Sequence, residues 1–267
     1  MCRHIAYLGP PLPLAHLLFT PPHGLVHQSW APRDMRGGGT INADGFGVGW
    51  YPDPAQPAPD RSGPDRCDGV ASADRTVRYR QAGPIWSDQS LPGLAAITLS
   101  GAALAAVRSA TAGMPVTGTA VAPFGDDRWL FSHNGVVLGW PGSVGELARA
   151  LPVADLLTLD AATDSALLWA LVRHRLRAGT PVEAALEETA RDVLRAAPGS
   201  RLNLLLTDGH TMAATALGHS LWVRHGTSGA YLASEPTDDD PAWEQVPDGH
   251  LITATTTRTH LSEMDNT

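Results

Sequence analysis

The chain has 267 residues, 43% of them hydrophobic, with 27 acidic residues against 19 basic ones and a net charge of −8. That is enough apolar matter to build a core without disulfide or metal staples. All the basic residues are arginines, which excludes Schiff-base chemistry, pyridoxal phosphate and the lysine of a phosphate-binding loop.

The arginines are scattered and the balance is acidic, so no nucleic-acid or anionic-lipid face is expected. No segment reads as a membrane span or an export signal. The two cysteines, Cys2 and Cys67, cannot make a disulfide framework or a four-ligand zinc site. A reducing cytosol is the expected compartment.

In chain order, short β-rich or apolar segments occur at His4 to Leu8, Phe46 to Tyr51, Leu104 to Ser109 and Trp129 to Val137. Others follow at Leu202 to Thr207, Met212 to Ala216, Leu221 to Arg224, Ala230 to Ser234 and Leu251 to Thr257. The proline-rich run Pro52 to Arg78, which contains Cys67, reads as a mobile surface insertion in a single domain spanning 1–267. Gln89 to Val107 is uncharged and reads as a buried strand region. Helical periodicity is clearest at Ser165 to Leu176 and Val182 to Ala197, with Pro198-Gly199 as a stop. Thr163 or Asp164 stands at the N-cap of the first helix, and Pro181 in the first turn of the second. Strands, two helices and strands again suggest two antiparallel sheets with helices packed outside.

Removal of Met1 would give Cys2 a free α-amine beside its thiol. The amine titrates near 8, so one residue can hold both nucleophile and base. Left alone, Cys2 could equally be an incidental cysteine near a frayed end. The segment Ser132-His133-Asn134-Gly135 ends an apolar strand in the strongest short hairpin signal, yet the same pair offers a side-chain amide and an unobstructed backbone N–H, two donors suited to an oxyanion. Arg108, at the end of an apolar strand, has a fork that suits a carboxylate. His23 and His27 lack a helical setting and read as surface residues.

Cys2, Asn42-Ala43-Asp44-Gly45-Phe46-Gly47-Val48-Gly49-Trp50, Val107-Arg108-Ser109-Ala110-Thr111, His133-Asn134-Gly135 and Thr163-Asp164-Ser165 occur in this order. The series resembles the class II glutamine amidotransferases, which are N-terminal-nucleophile amidohydrolases. The opening Cys2-Arg3-His4, together with Ala233-Ser234-Glu235-Pro236 and Asp238-Asp239-Asp240, is similar to the branch that hydrolyses γ-glutamyl-hercynylcysteine S-oxide in ergothioneine biosynthesis.

The resemblance implies an α+β fold, a four-layer αββα sandwich, and catalysis through a Cys2 thioester. Asn134 and Gly135 would hold the oxyanion. Arg108 would clamp the α-carboxylate of a γ-glutamyl group and Asp164 its α-ammonium, with Thr111 and His133 in the same substrate site. No cofactor or metal enters this scheme, and the partner is a small γ-glutamyl molecule. Arg3 replaces a common glycine, and Ser109 a common aromatic residue. Trp30, Trp50 and Trp86, read as loop residues, are candidates for holding a trimethylammonium group. Three other readings are a glutaminase subunit serving a separate synthase, a binding module without turnover, and a square-planar copper or nickel site on the Cys2-Arg3-His4 terminus.

Overall fold

The computed structural model describes residues 2–34, 41–52, 76–227 and 229–265. Cys67 and positions 53–75 of the expected insertion lie outside the described residues. The elements are β1 (Arg3–Pro13), α1 (Ala15–Leu18), α2 (Leu25–Gln28), β2 (Phe46–Trp50), β3 (Val77–Gln81), α3 (Leu91–Ile97), β4 (Leu99–Val107), β5 (Phe124–Gly125) and β6 (Leu130–Val136). They continue with α4 (Gly145–Arg149), α5 (Val153–Leu157), α6 (Asp164–Arg177), α7 (Val182–Ala196), β7 (Arg201–Thr207), β8 (Met212–Ala216), β9 (Trp222–Gly226), β10 (Gly229–Ala233), β11 (Trp243–Gln245), β12 (His250–Ala254) and β13 (Thr259–Glu263).

Two antiparallel sheets result, with orders β11-β9-β10-β1-β4-β2-β3 and β13-β12-β8-β7-β6-β5. Alternation along the strands divides the core into three. Ile5, Tyr7, Ala103, Ala105 and Val107 turn outward and bury Leu14, Leu17, Leu25 and Leu91 of the α1–α3 layer. Ala6, Leu8, Leu104 and Leu232 turn inward and meet Leu130, Leu205 and Met212 of the second sheet. Phe131, Leu204 and Leu206 carry α6 and α7 on the far side. The order helix, sheet, sheet, helix is the αββα sandwich.

Local chemistry explains the long helices. Thr163 is the N-cap of α6, its Oγ1 accepting from Ala166 N at 3.2 Å, so Asp164 is the first helical residue and not the cap. In α7, Ala185, Leu186, Thr189, Ala190 and Val193 form one buried stripe, and Pro181 stands at the N-cap, one position before the first turn. Gln89 to Val107 is not all strand, because α3 occupies its first half. Trp50 lies in β2 and packs beside the outer core, and Trp86 sits in a 3-10 turn, which corrects their reading as loop residues. Val77 and Arg78, placed at the end of the expected insertion, begin β3. Among the described residues no helix is long and apolar enough to cross a membrane.

Candidate active site

Strand register assembles the site at one end of the sandwich. Arg3 pairs with Val107, so the chain brings Cys2 to the turn that follows β4, where the Cys2 Sγ lies 3.8 Å from the Ser109 carbonyl. Phe46 also pairs with Val107, bringing the Asn42-to-Gly45 segment against the same turn. There Arg108 N donates to Gly45 O at 2.7 Å, Asp44 N donates to Arg108 O at 3.0 Å, and Asp44 Oδ2 accepts from Ala110 N at 2.8 Å. Arg108 Nη1 donates to the Pro115 carbonyl at 2.8 Å. Thr111 is exposed on the loop that follows.

Asn134 and Gly135 lie within β6, paired with Asn203 and Leu202 of β7, and form no hairpin turn. Gly135 is needed for a close approach: a β-carbon there would collide with the Arg201 carbonyl and with His133 Nε2, at 2.5 Å from the latter. Asn134 points between the sheets, where its Nδ2 donates to Ser234 Oγ at 3.3 Å, and its Oδ1 is buried without a partner. Ser234 Oγ also accepts the His4 backbone N–H at 3.0 Å. One hydroxyl thus joins the strand of Cys2 to the strand of Asn134.

His133 faces the opposite side of its sheet. Its Nε2 meets the Arg201 carbonyl at 3.0 Å, which can only accept, so that nitrogen carries a proton, and Nδ1 lies 3.0 Å from Ser165 Oγ. Asp164 Oδ2 accepts from Val137 N at 3.1 Å, and Oδ1 from Ser165 N at 2.8 Å. These bonds hold the α6 N-terminus against the end of β6.

The interior here is polar and buried. His4 is fully buried, its Nδ1 3.1 Å from Ser132 Oγ and its Nε2 unpartnered. Burial, reinforced by His133, His219 and the Arg3 charge, lowers its pKa to about 3. With its N–H and carbonyl both hydrogen-bonded to Ser234, His4 cannot wrap the terminus around copper or nickel. His219, 3.0 Å from Arg201 Nε, is likewise lowered to about 3, by burial and then by Arg201.

Sequence reasoning missed a buried ion pair. Arg3 Nε donates to Glu235 Oε1 at 2.7 Å, and His23 Nε2 lies 2.7 Å from Glu235 Oε2. Burial alone would raise the Glu235 pKa, but His23, the Arg3 charge and two backbone N–H groups outweigh it and hold the carboxyl at about 2. His23 is therefore a buried residue, 2% exposed, and its Nδ1 lies 2.9 Å from that of His27. His27 packs edge-on against Trp30, which is half exposed. Beyond Glu235 lies a cavity of about 250 Å³ bordered by Trp222, Pro236 and Gln245. None of the three tryptophans singled out in the sequence borders it. Asp238, from the acidic run, accepts from Trp243 Nε1 at 2.9 Å and Arg224 Nη1 at 2.8 Å, so it serves the β9–β11 edge.

No family model matches the chain. It is 40% identical over 252 residues to the gamma-glutamyl-hercynylcysteine sulfoxide hydrolase of Mycolicibacterium smegmatis, an alignment that covers 94% of this chain and 95% of the relative. The chain belongs to that family. A second sulfoxide hydrolase, from Mycobacterium tuberculosis CDC 1551, is 38% identical over 267 residues and covered to 97%.

Among solved structures, the glutamine aminotransferase class-II domain protein of Silicibacter pomeroyi superposes with a TM-score of 0.65 at 23% identity, covering 98% of this chain and 99% of that one. The glutamine phosphoribosylpyrophosphate amidotransferase of B. subtilis gives 0.63 at 12% identity, over 98% of this chain and 49% of its own. These two show that this chain has the class II amidotransferase fold.

Proposed function

We propose that this chain hydrolyses the γ-glutamyl amide bond of γ-glutamyl-hercynylcysteine sulfoxide and releases glutamate, with Cys2 as the nucleophile. The observation that carries this reading is the register that brings Cys2 against the Arg108-Ser109 turn while Ser234 ties the strand after Cys2 to Asn134. With Met1 removed, the Cys2 α-amine takes the thiol proton and the thiolate attacks the γ-carbonyl carbon. The oxyanion rests on Asn134 Nδ2 and Gly135 N–H. As the C–N bond breaks, the Cys2 ammonium protonates the departing amine nitrogen and leaves a thioester. Water then attacks that carbonyl, the amine takes its proton, and the C–S bond breaks to restore the thiol.

Arg108 binds the α-carboxylate of the γ-glutamyl group, and Asp164 binds its α-ammonium alongside the bonds it makes to Val137 and Ser165. Thr111 and His133 complete that side of the site, His133 by holding Ser165. Positions 1–267 act as one amidohydrolase domain with an insertion that ends before β3, at 52–76. The reducing cytosol suits the exposed chemistry of Cys2, and the acidic balance keeps nucleic acid out of its list of partners.

The test is glutamate release from γ-glutamyl-hercynylcysteine sulfoxide, glutamine and glutathione. Binding energy from the large leaving group can be used in the transition state, so kcat/KM should be highest on the conjugate. Equal values for the conjugate and glutamine would remove the substrate assignment.

A further inference from the structure

Arg3 and Glu235 have no part in the scheme above, yet their geometry bears on Cys2. They are 232 positions apart in sequence, and each is 2% exposed. The planar fork of Arg3 donates in three directions: Nε to Glu235 Oε1 at 2.7 Å, Nη1 to the Cys2 carbonyl at 2.9 Å, and Nη2 to the Asp34 carbonyl. Both Glu235 oxygens are filled in return. Oε1 also accepts from Asp34 N at 3.1 Å, and Oε2 from Arg33 N at 2.8 Å and His23 Nε2 at 2.7 Å. A buried ion pair seldom adds net stability over an apolar pair, but one bonded this completely fixes direction.

Direction is what a terminal nucleophile lacks. Once Met1 is gone, Cys2 has no preceding peptide to restrain it, and its carbonyl is its one main-chain acceptor. The Arg3 side chain folds back onto that carbonyl and sets the rotation of the Cys2 peptide. We infer that Arg3 and Glu235 are a positioning pair for the nucleophile: Glu235 fixes the plane of the guanidinium, and the guanidinium fixes the direction in which the Cys2 thiol and α-amine leave the strand. The inference rests on the reading of Cys2 as nucleophile. A reacting group displaced by about 1 Å loses on the order of a hundredfold in rate, so a device that holds it matters to kcat more than to binding.

The test uses the full-length chain and γ-glutamyl-hercynylcysteine sulfoxide, with kcat referred to the folded fraction. Arg3→Lys keeps the charge and loses the fork, and Glu235→Gln keeps the shape and loses the charge. Each should lower kcat by about tenfold or more and move KM by less than about threefold. Because both act through one carbonyl, the double variant should be no slower than the slower single variant.

A folded Arg3→Lys enzyme with kcat within about twofold of the parent overturns the pair, as does a double variant whose loss is the product of the two. Should Arg3→Lys not fold, Glu235→Gln decides on the same kcat and KM criteria. Cys2→Ala, measured in parallel, separates the two possible failures. Activity that survives Cys2→Ala overturns the nucleophile reading, whereas an inactive Cys2→Ala beside unimpaired Arg3 and Glu235 variants overturns the positioning pair alone.

Discussion

Midway along the sandwich, the space between the sheets is filled by Ala6, Leu8, Leu104, Leu130, Leu205 and Leu232; at the Cys2 end, the same strands place His4, Ser132, Asn134, Asn203 and Ser234 there. Both regions are buried, but they are held differently. The apolar middle depends on volume and tolerates sideways adjustment. The polar end depends on direction. Asn203 alone makes four bonds, donating to the His219 and Ser220 carbonyls and accepting from Leu217 N and His219 N. Three strands, β1, β6 and β7, therefore run from a stabilising zone into a reacting one, and Ser234 joins them directly after β10.

The largest effect that separates the zones is expected from Cys2→Ala. Turnover should fall by several powers of ten while the thermal midpoint stays near that of the parent; glutamate release and calorimetry read the two quantities. Retained turnover would mean that the polar end is not the reacting zone.

Asn134→Ala should lower kcat by about two to three powers of ten with KM little changed, the cost of one oxyanion donor. A kcat close to the parent's would reduce Asn134 to a tie between sheets.

Leu104→Ala tests the other zone. Leu104 is fully buried, and its truncation should cost about 2–5 kcal/mol in denaturant unfolding. The kcat of the remaining folded enzyme should be unchanged, and a matching loss of kcat would blur the division.

The last effect is a pH dependence to which the polar end contributes. His4 and His219, held at about 3 against an ordinary 6.5, stay neutral in the fold while the unfolded chain takes up protons. Their contribution is whole above pH 6.5 and is lost as pH falls toward 3. Glu235, lowered from 4.5 to about 2, adds a second loss that begins as pH drops below 4.5. The thermal midpoint should therefore decline steadily from neutral to acid pH, and a flat profile over that interval would contradict the buried, uncharged state of the two histidines.

How much of this was legible follows from where each signal lives. The interior strands announce themselves as short apolar runs between turn residues, buried on both faces, and α7 by one apolar stripe at helical period, while α6 is buried through two full turns. The strands that went unread, β3, β5, β11 and β13, are the four sheet edges. Edges are short or polar: β5 and β11 have two and three residues, and β3 reads Val-Arg-Tyr-Arg-Gln. At the site, Cys2, Arg108 and Asn134 could be singled out by residue type. Asn134-Gly135 carried a hairpin signal that tertiary packing overrode, since Gly135 answers the approach of the Arg201 carbonyl and not a turn. His23 could not be read as buried, because its partner Glu235 is 212 positions away and local pattern holds no trace of that pairing.

The shared hydroxyl of Ser234 sets a mechanical tolerance. Contacts between alkyl groups have no direction, so by themselves they do not set the exact placement of a nucleophile on one sheet relative to a donor on the other. Here the His4 N–H, two residues from the thiol, and the Asn134 amide converge on one oxygen atom at 3.0 and 3.3 Å. The separation of nucleophile and donor is thereby gauged across two hydrogen bonds and not across the full thickness of the core, so the chain can carry a loosely toleranced interior and still keep a tightly toleranced working end.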